Sequence, residues 1–124
     1  MWWDKISYDM LLKQRGKKLA DYWLTKTNNQ KTVWFRDILI LKEYQKLGIG
    51  EQLVDYAIKK WKEKNYKYAI LRIHLGGIEN DAIESNEKAL KIYQKKGFKI
   101  ISDIIHISYI NNEKIKMGYM LLIL

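Results

Sequence analysis

The sequence predicts an α+β domain in which helices lie against a mixed sheet. Three observations carry this. A β-branched and aromatic run, Thr32–Leu41, is followed by an amphipathic segment, Glu51–Lys64, and then by a second apolar run, Tyr68–Leu75 (YAILRIHL). In Glu51–Lys64 the residues Leu53, Val54, Ala57, Ile58 and Trp61 fall at helical spacing with lysines on the opposite side, the signature of a helix laid on a sheet. A helix between two strands allows them to pair in parallel as a βαβ unit. At 124 residues and 48% hydrophobic content the chain can build one core, so residues 1–124 are read as a single domain.

The remaining elements follow in chain order. Asp9–Gln14 and Lys18–Thr25 read as a hairpin around an Arg15-Gly16-Lys17 turn, and Asn28-Asn29-Gln30 turns the chain into Thr32–Leu41, so the start is expected to be a three-strand antiparallel meander. After Tyr68–Leu75, Gly76-Gly77 ends the strand. Ser85–Lys96 is a second helix, with Ser85 placed to cap its start and Gly97 where a left-handed residue is wanted at its end. Phe98–Tyr109 and Lys116–Leu124 close the chain as strands around an Asn111-Asn112 turn.

Composition excludes several classes. No cysteine is present, which removes disulfides, thiolate metal sites and a cysteine nucleophile, and His74 and His106 stand far apart, so no metal site is expected. No window approaches a membrane span and the start Met1-Trp2-Trp3-Asp4-Lys5 lacks the pattern of a signal peptide, so no membrane partner is expected and the default compartment is the cytoplasm. The net charge of +9 suits an anionic partner, but 20 of the 23 cations are lysines spread along helices, which argues for a solvated surface and against nucleic acid.

Between the first parallel strand and its helix stands Gln45-x-x-Gly48-x-Gly50. Residues without Cβ let several backbone N–H groups converge on an anion, and a helix start directly behind adds its positive end. The stretch is neither a P-loop, since Glu51 follows Gly50, nor a dinucleotide fingerprint, since Leu53 stands at the third glycine. On spacing alone, a tight turn and a phosphate site are equally served.

One strand and one loop later comes Asn86-x-x-Ala89-x-x-x-Tyr93-x-x-x-Gly97-Phe98. Together the two motifs resemble the GNAT superfamily of acyl-CoA-dependent N-acetyltransferases, which carries Q/R-x-x-G-x-G/A and N-x-x-A-x-x-x-Y-x-x-x-G-F in this order; the resemblance covers about Lys31 to Leu124. It implies an α/β/α-layered fold: a mixed, mostly antiparallel sheet with a central parallel βαβ splay and helices on both faces. It also implies acetyl-CoA as cofactor, with the pyrophosphate on the amides of Gln45, Lys46, Leu47, Gly48, Ile49, Gly50 and Glu51. The pantetheine arm is then expected along Leu39, Ile40 and Leu41, with Ile40 N–H as the donor to the thioester carbonyl, and Asn86 and Tyr93 join the cofactor-binding set.

In the family the position of Tyr93 donates a proton to the leaving sulfur, a role that suits a side chain with an ordinary pKa near 10. The structural alternative is packing, since Ala89 and Tyr93 share a helical face. Where members commonly place a glutamate base, this chain has Arg36 and Arg72, two of its three arginines. The base is then a water relay or an acid of the loop Gly77–Ser85, which carries Glu79, Asp81 and Glu84. Asp37, next to Arg36, should point to the other face of its strand.

If Arg36 and Arg72 face the acceptor, with Glu79 nearby, a carboxylate-bearing acceptor is favoured. If the loop acids cover them, a cationic amine fits, and a purely structural pairing serves as well. The resemblance implies direct transfer to a primary amine, of a protein N-terminus or lysine, or else of a small polyamine-like molecule; the rival is a non-catalytic acyl-CoA-binding module. Eight residues precede the first predicted strand, so the family's N-terminal strand and first helix are expected to be largely missing, with Trp2, Trp3 and Tyr8 as their stub. Either the chain is a truncated form or it borrows that wall from a partner subunit, in a homodimer formed by edge pairing or exchange of Met117–Leu124.

Overall fold

The fold is known from a computed structural model that describes residues 2–37, 48–76, 89–101, 104, 106–110 and 113–124. It has six strands, β1 (Trp2–Lys5), β2 (Thr32–Asp37), β3 (Tyr68–Gly76), β4 (Lys99–Ile100), β5 (His106–Ile110) and β6 (Glu113–Ile123). Three helices are α1 (Tyr8–Gln14), α2 (Lys17–Thr27) and α3 (Ile49–Glu63), and residues 89–95 form part of a fourth, α4.

All six strands belong to one sheet of order β1-β2-β3-β6-β4, with β5 also on β6. Among the described residues only β2 and β3 pair in parallel, from Thr32↔Tyr68 to Phe35↔Leu71; the other pairs are antiparallel. The predicted βαβ unit and α+β class are therefore what the chain builds, with helices packed on both faces. Strand alternation sorts the core. Trp34, Ile70, Tyr119 and Leu121 pack with Leu11, Leu19, Ala20 and Trp23 of α1 and α2, while Val33, Phe35, Ala69, Leu71, Met120 and Leu122 pack with Ala57 and Trp61 of α3 and with Leu90 and Tyr93.

The expected N-terminal meander is overturned: its first two members are helices, and the strand antiparallel to β2 is Trp2–Lys5. The strand and the helical wall thought missing are thus present in short form. Ser7 caps α1 by accepting from Met10 N–H at 3.2 Å, and α2 buries Leu19, Ala20, Trp23 and Thr27, a spacing of three to four that defines one helical face. Arg15-Gly16-Lys17 does turn the chain, but between helices. Tyr22, Trp23 and Thr25 favour a strand by propensity alone; burying one face of α2 outweighs that preference.

Two further expectations change. Phe98–Tyr109 is two strands, because the six steps from Ile100 to His106 advance the pairing only three positions, from Met120 to Met117, on β6; Ile101 and Ile104 turn into the α1/α2 core. Strand β6 is not an edge available for dimerisation: β3 pairs with it on one side and β4 and β5 on the other.

Candidate active site

The two parallel strands part company. Among the described residues their pairing runs only to Phe35↔Leu71, while β2 continues to Asp37 against β1 and β3 to Gly76 against β6. At the same place Trp2 pairs with Asp37 and Trp3 with Phe35, so Arg36 is the extra residue of a β-bulge. A bulge bends its strand and interrupts alternation, which removes the basis for the expected outward turn of Asp37. Among the described residues the ladder is thus open between the carboxyl ends of β2 and β3, the side of the sheet at which open α/β sheets bind ligands.

Helix α3 begins beside this gap. Its N-cap is Gly48, with φ 72° and ψ 11°, and no side chain caps the helix. Among the described residues a Cβ at Gly48 would meet nothing within 4 Å, so the glycine is required by its backbone conformation; the first-turn amides of Ile49, Gly50 and Glu51 follow it. Of the predicted cofactor-binding residues these four and Tyr93 are described. Leu39, Ile40, Leu41, Gln45, Lys46, Leu47 and Asn86, the substrate candidate Glu79, and Ser85, Asp81 and Glu84 lie outside the described residues.

Tyr93 lies on the same side of the sheet as α3. Its half-buried ring meets Phe35 edge-on at 6.3 Å between centroids and Phe98 at 5.6 Å. The end of α4 fixes this placement: Phe98 N–H donates to Tyr93 O at 3.0 Å and Gly97 N–H to Gln94 O at 3.1 Å, with Gly97 at φ 102°. These two bonds are those of a Schellman ending, as the position of Gly97 predicts.

Ion pairs join α4 to the start of α3, a link that sequence reasoning missed. Glu51 Oε1 accepts from Lys95 Nζ at 2.8 Å and from Lys96 Nζ at 3.0 Å, and Lys96 Nζ also reaches Asp55 Oδ1 at 2.8 Å. The bonds to Lys95 and Lys96 hold the Glu51 carboxyl below its ordinary pKa, and those to Asp55 and Glu51 hold Lys96 above its own. The glycine turn and the helix of Tyr93 are thereby clamped together. Adjacent lysines next to the Tyr-x-x-x-Gly stretch were the only signal available.

Arg72 is elsewhere. Opposite Tyr119 on β6, it alternates with Ile70 and so belongs to the face covered by α1 and α2, where its side chain is exposed. The predicted proton donor and the predicted acceptor arginine therefore lie on opposite faces of the sheet. Arg36 is placed by its backbone at the bulge. Arg15, which sequence analysis treated only as a turn residue, brings its guanidinium to 5.2 Å from the Trp34 ring on the Arg72 side. Among the described residues no group of three or more His, Asp or Glu side chains could hold a metal ion, and no helix is long and apolar enough to cross a membrane.

Comparison with known proteins bears on the family and the fold. The profile of a family described as "Acetyltransferase (GNAT) domain" matches residues 8–100. No curated protein matches. Among solved structures, the chain is similar to a GNAT family acetyltransferase from Elizabethkingia anophelis with acetyl-CoA bound, at 25% identity and a TM-score of 0.53, covering 99% of this chain and 97% of that one. It is similar to the ribosomal-protein-S18-alanine N-acetyltransferase from Escherichia coli at 19% identity and a TM-score of 0.60, covering 74% of this chain. The chain spans 54% of the length of that enzyme. A third likeness is to the spermidine/spermine N-acetyltransferase SpeG from Vibrio cholerae, at 13% identity and a TM-score of 0.58, covering 98% of this chain and 93% of that one.

Proposed function

The chain belongs to the GNAT acetyltransferase family, and from that premise we propose that residues 1–124 work as one domain that transfers the acetyl group of acetyl-CoA directly to a primary amine, of a protein N-terminus or lysine. The observation that carries the reading is the parting of β2 and β3 beyond Phe35 and Leu71, beside a helix that starts at a left-handed glycine. Among the described residues, open space at Gly48 and uncapped first-turn amides fit a diphosphate. A small polycationic acceptor is the less favoured substrate, because a chain of net charge +9 repels it.

Acetyl-CoA, when bound, supplies the acetyl group as an activated thioester. The amides of Gln45, Lys46, Leu47, Gly48, Ile49, Gly50 and Glu51 hold its diphosphate. The backbone of Leu39, Ile40 and Leu41, together with Asn86, would complete the cofactor-holding set, with Ile40 N–H as the oxyanion donor. The Tyr93 hydroxyl would give its proton to the departing sulfur, while the proton lost by the attacking amine would pass to a water relay or to an acid of the loop 77–85; packing between Phe35 and Phe98 restricts the Tyr93 ring, so little orientational entropy is lost in positioning it. Glu51 acts through its amide, since two lysines occupy its carboxylate.

The test is a calorimetric titration with acetyl-CoA and desulfo-coenzyme A, followed by turnover of Tyr93→Phe. Both ligands should bind near one per chain, and the variant should lose turnover while keeping cofactor affinity. Binding without turnover in the natural chain would leave an acyl-CoA-binding module; unchanged turnover in the variant would remove Tyr93 from the chemistry.

A further inference from the structure

Of 23 cationic side chains only three are arginine, and two of these three converge on one aromatic pair. Trp34 and Tyr119, both almost fully buried, stand with ring centroids 6.1 Å apart on the α1/α2 face of the sheet. Arg15 closes α1 as its C-cap and holds its guanidinium 5.2 Å from the Trp34 ring. Arg72 lies directly opposite Tyr119 across the β3–β6 ladder, and cross-strand partners share a face. Both guanidiniums act on the Tyr119 hydroxyl, working against the upward push that burial gives its pKa.

Arginine differs from lysine in being permanently charged and planar, with a donor fork that matches a carboxylate. Two such groups near one aromatic pair concentrate positive charge on the α1/α2 face of the sheet. Among the described carboxylates none forms an ion pair with Arg72, and its side chain is exposed. The patch lies toward the end of β3 past the last β2–β3 pair, on the face opposite Tyr93 and α3. It therefore adjoins the gap from the side that the cofactor turn does not occupy.

We propose that Arg15 and Arg72 form an acceptor subsite for a carboxylate, so that the amine acetylated by this chain carries an acidic group close to the amino nitrogen. This rests on the acetyltransferase reading and narrows its substrate class. An acidic residue at a protein N-terminus and a small amino dicarboxylate share the chemistry; the probes below separate them. Arg72 is a specificity residue whose charge and fork meet the acceptor, and Arg15 supplies the second charge, fixed by stacking on Trp34.

The experiment uses the full chain and three probes with acetyl-CoA: short peptides beginning with Asp-Glu, the same peptides beginning with Ala-Gly, and free glutamate. The natural chain should prefer an acidic probe over the Ala-Gly peptide by about tenfold or more in kcat/KM, the scale of one charge-assisted hydrogen bond. Preference for the peptide or for glutamate identifies the source. Arg72→Gln should reduce the preference to about twofold by raising KM for the acidic acceptor, with acetyl-CoA affinity by calorimetry unchanged.

Arg15→Lys, which keeps the charge and loses the fork, covers the case in which a larger change at this half-buried position disturbs folding; it should reduce the preference part of the way. Equilibrium binding of the acidic probe in the presence of coenzyme A gives a readout independent of turnover and should weaken in parallel. Equal use of acidic and neutral acceptors, or a preference that survives Arg72→Gln, with acetyl-CoA binding intact, overturns this inference alone. Failure of the natural chain to bind acetyl-CoA overturns both it and the reading beneath it.

Discussion

Gly48 and Gly97 both take positive φ, but substituting alanine should affect different things at each. At Gly97, φ is 102° and an added Cβ would lie 3.1 Å from Leu122 Cδ1. Leu122 is a core residue, 6% exposed, so it has little room to yield. A non-glycine residue in so sparsely populated a backbone region costs about 1–3 kcal/mol, and crowding a packed core adds about 1 kcal/mol or more. Against this, alanine restricts the unfolded chain and returns about 0.4–1 kcal/mol. The balance is a loss of about 2–3 kcal/mol.

For a chain of this length a loss of about 1 kcal/mol lowers Tm by roughly 3–6 °C, so Gly97→Ala should melt roughly 6–18 °C below the natural protein. At Gly48, φ is 72° with nothing among the described residues within 4 Å of the added Cβ, and only the left-handed cost of about 1–2 kcal/mol applies. Its Cβ would instead stand next to the first-turn amides of α3, so acetyl-CoA affinity should fall about tenfold or more, a loss of about 1.4 kcal/mol. Circular-dichroism melts and calorimetric titration of both variants measure the two effects. Equal melting shifts, or cofactor affinity more sensitive to Gly97 than to Gly48, would refute the assignment of the two glycines.

Three other outcomes follow from the hydrogen bonds and ion pairs. Thr32→Val removes the acceptor of Trp23 Nε1–H (2.8 Å) and the donor to Gln30 O (2.8 Å) while keeping the shape of a fully buried side chain, so it should cost about 1–3 kcal/mol in denaturant unfolding; a cost near zero would show that another group satisfies the indole. The Glu51 carboxyl is held below its ordinary 4.5 by Lys95 and Lys96, so its contribution is complete above that value and lost as pH falls through the lowered one. Glu51→Gln should therefore melt below the natural protein at pH 7, with the difference closing in acid; a difference independent of pH sinks this account. Tyr8→Phe removes the 2.6 Å bond donated to Asp21 Oδ1, the largest cause of the low Asp21 pKa, and an NMR titration should show that carboxyl moving up; no movement would assign its acidity to Lys17.

How much of this was legible depended on whether the information was local. Leu53, Val54, Ala57, Ile58 and Trp61 announce α3 because a helix face repeats within one segment, and Gly97 announces its role because a helix end is a local event. α1 and α2 failed the same reading because α1 has only 7 residues and α2, of 11, mixes helical burial spacing with strand-favouring Tyr22, Trp23 and Thr25. The bulge at Arg36 is a register between two strands and has no signature in either one. Arg15 meets Trp34 only after α1 and α2 have folded over the sheet, so a turn residue by sequence becomes a site candidate by topology.

The sheet itself explains why those nonlocal features gather at one place. An unbroken ladder presents two faces that share no space, and here one face holds the α3 glycine turn and Tyr93 while the other holds Arg15 and Arg72. Groups on opposite faces can act on a common reaction only where the ladder is open. Among the described strands β2 and β3 part beyond Phe35 and Leu71, and the bulge at Arg36 bends β2 at that point. On the proposed reading the cofactor enters from the α3 face and the acceptor from the α1/α2 face, and the parted strands are where amine and thioester meet. On the α3 face, Glu51 with Lys95 and Lys96 ties the start of α3 to the helix that carries Tyr93, so these two elements of the proposed site keep a fixed distance from each other.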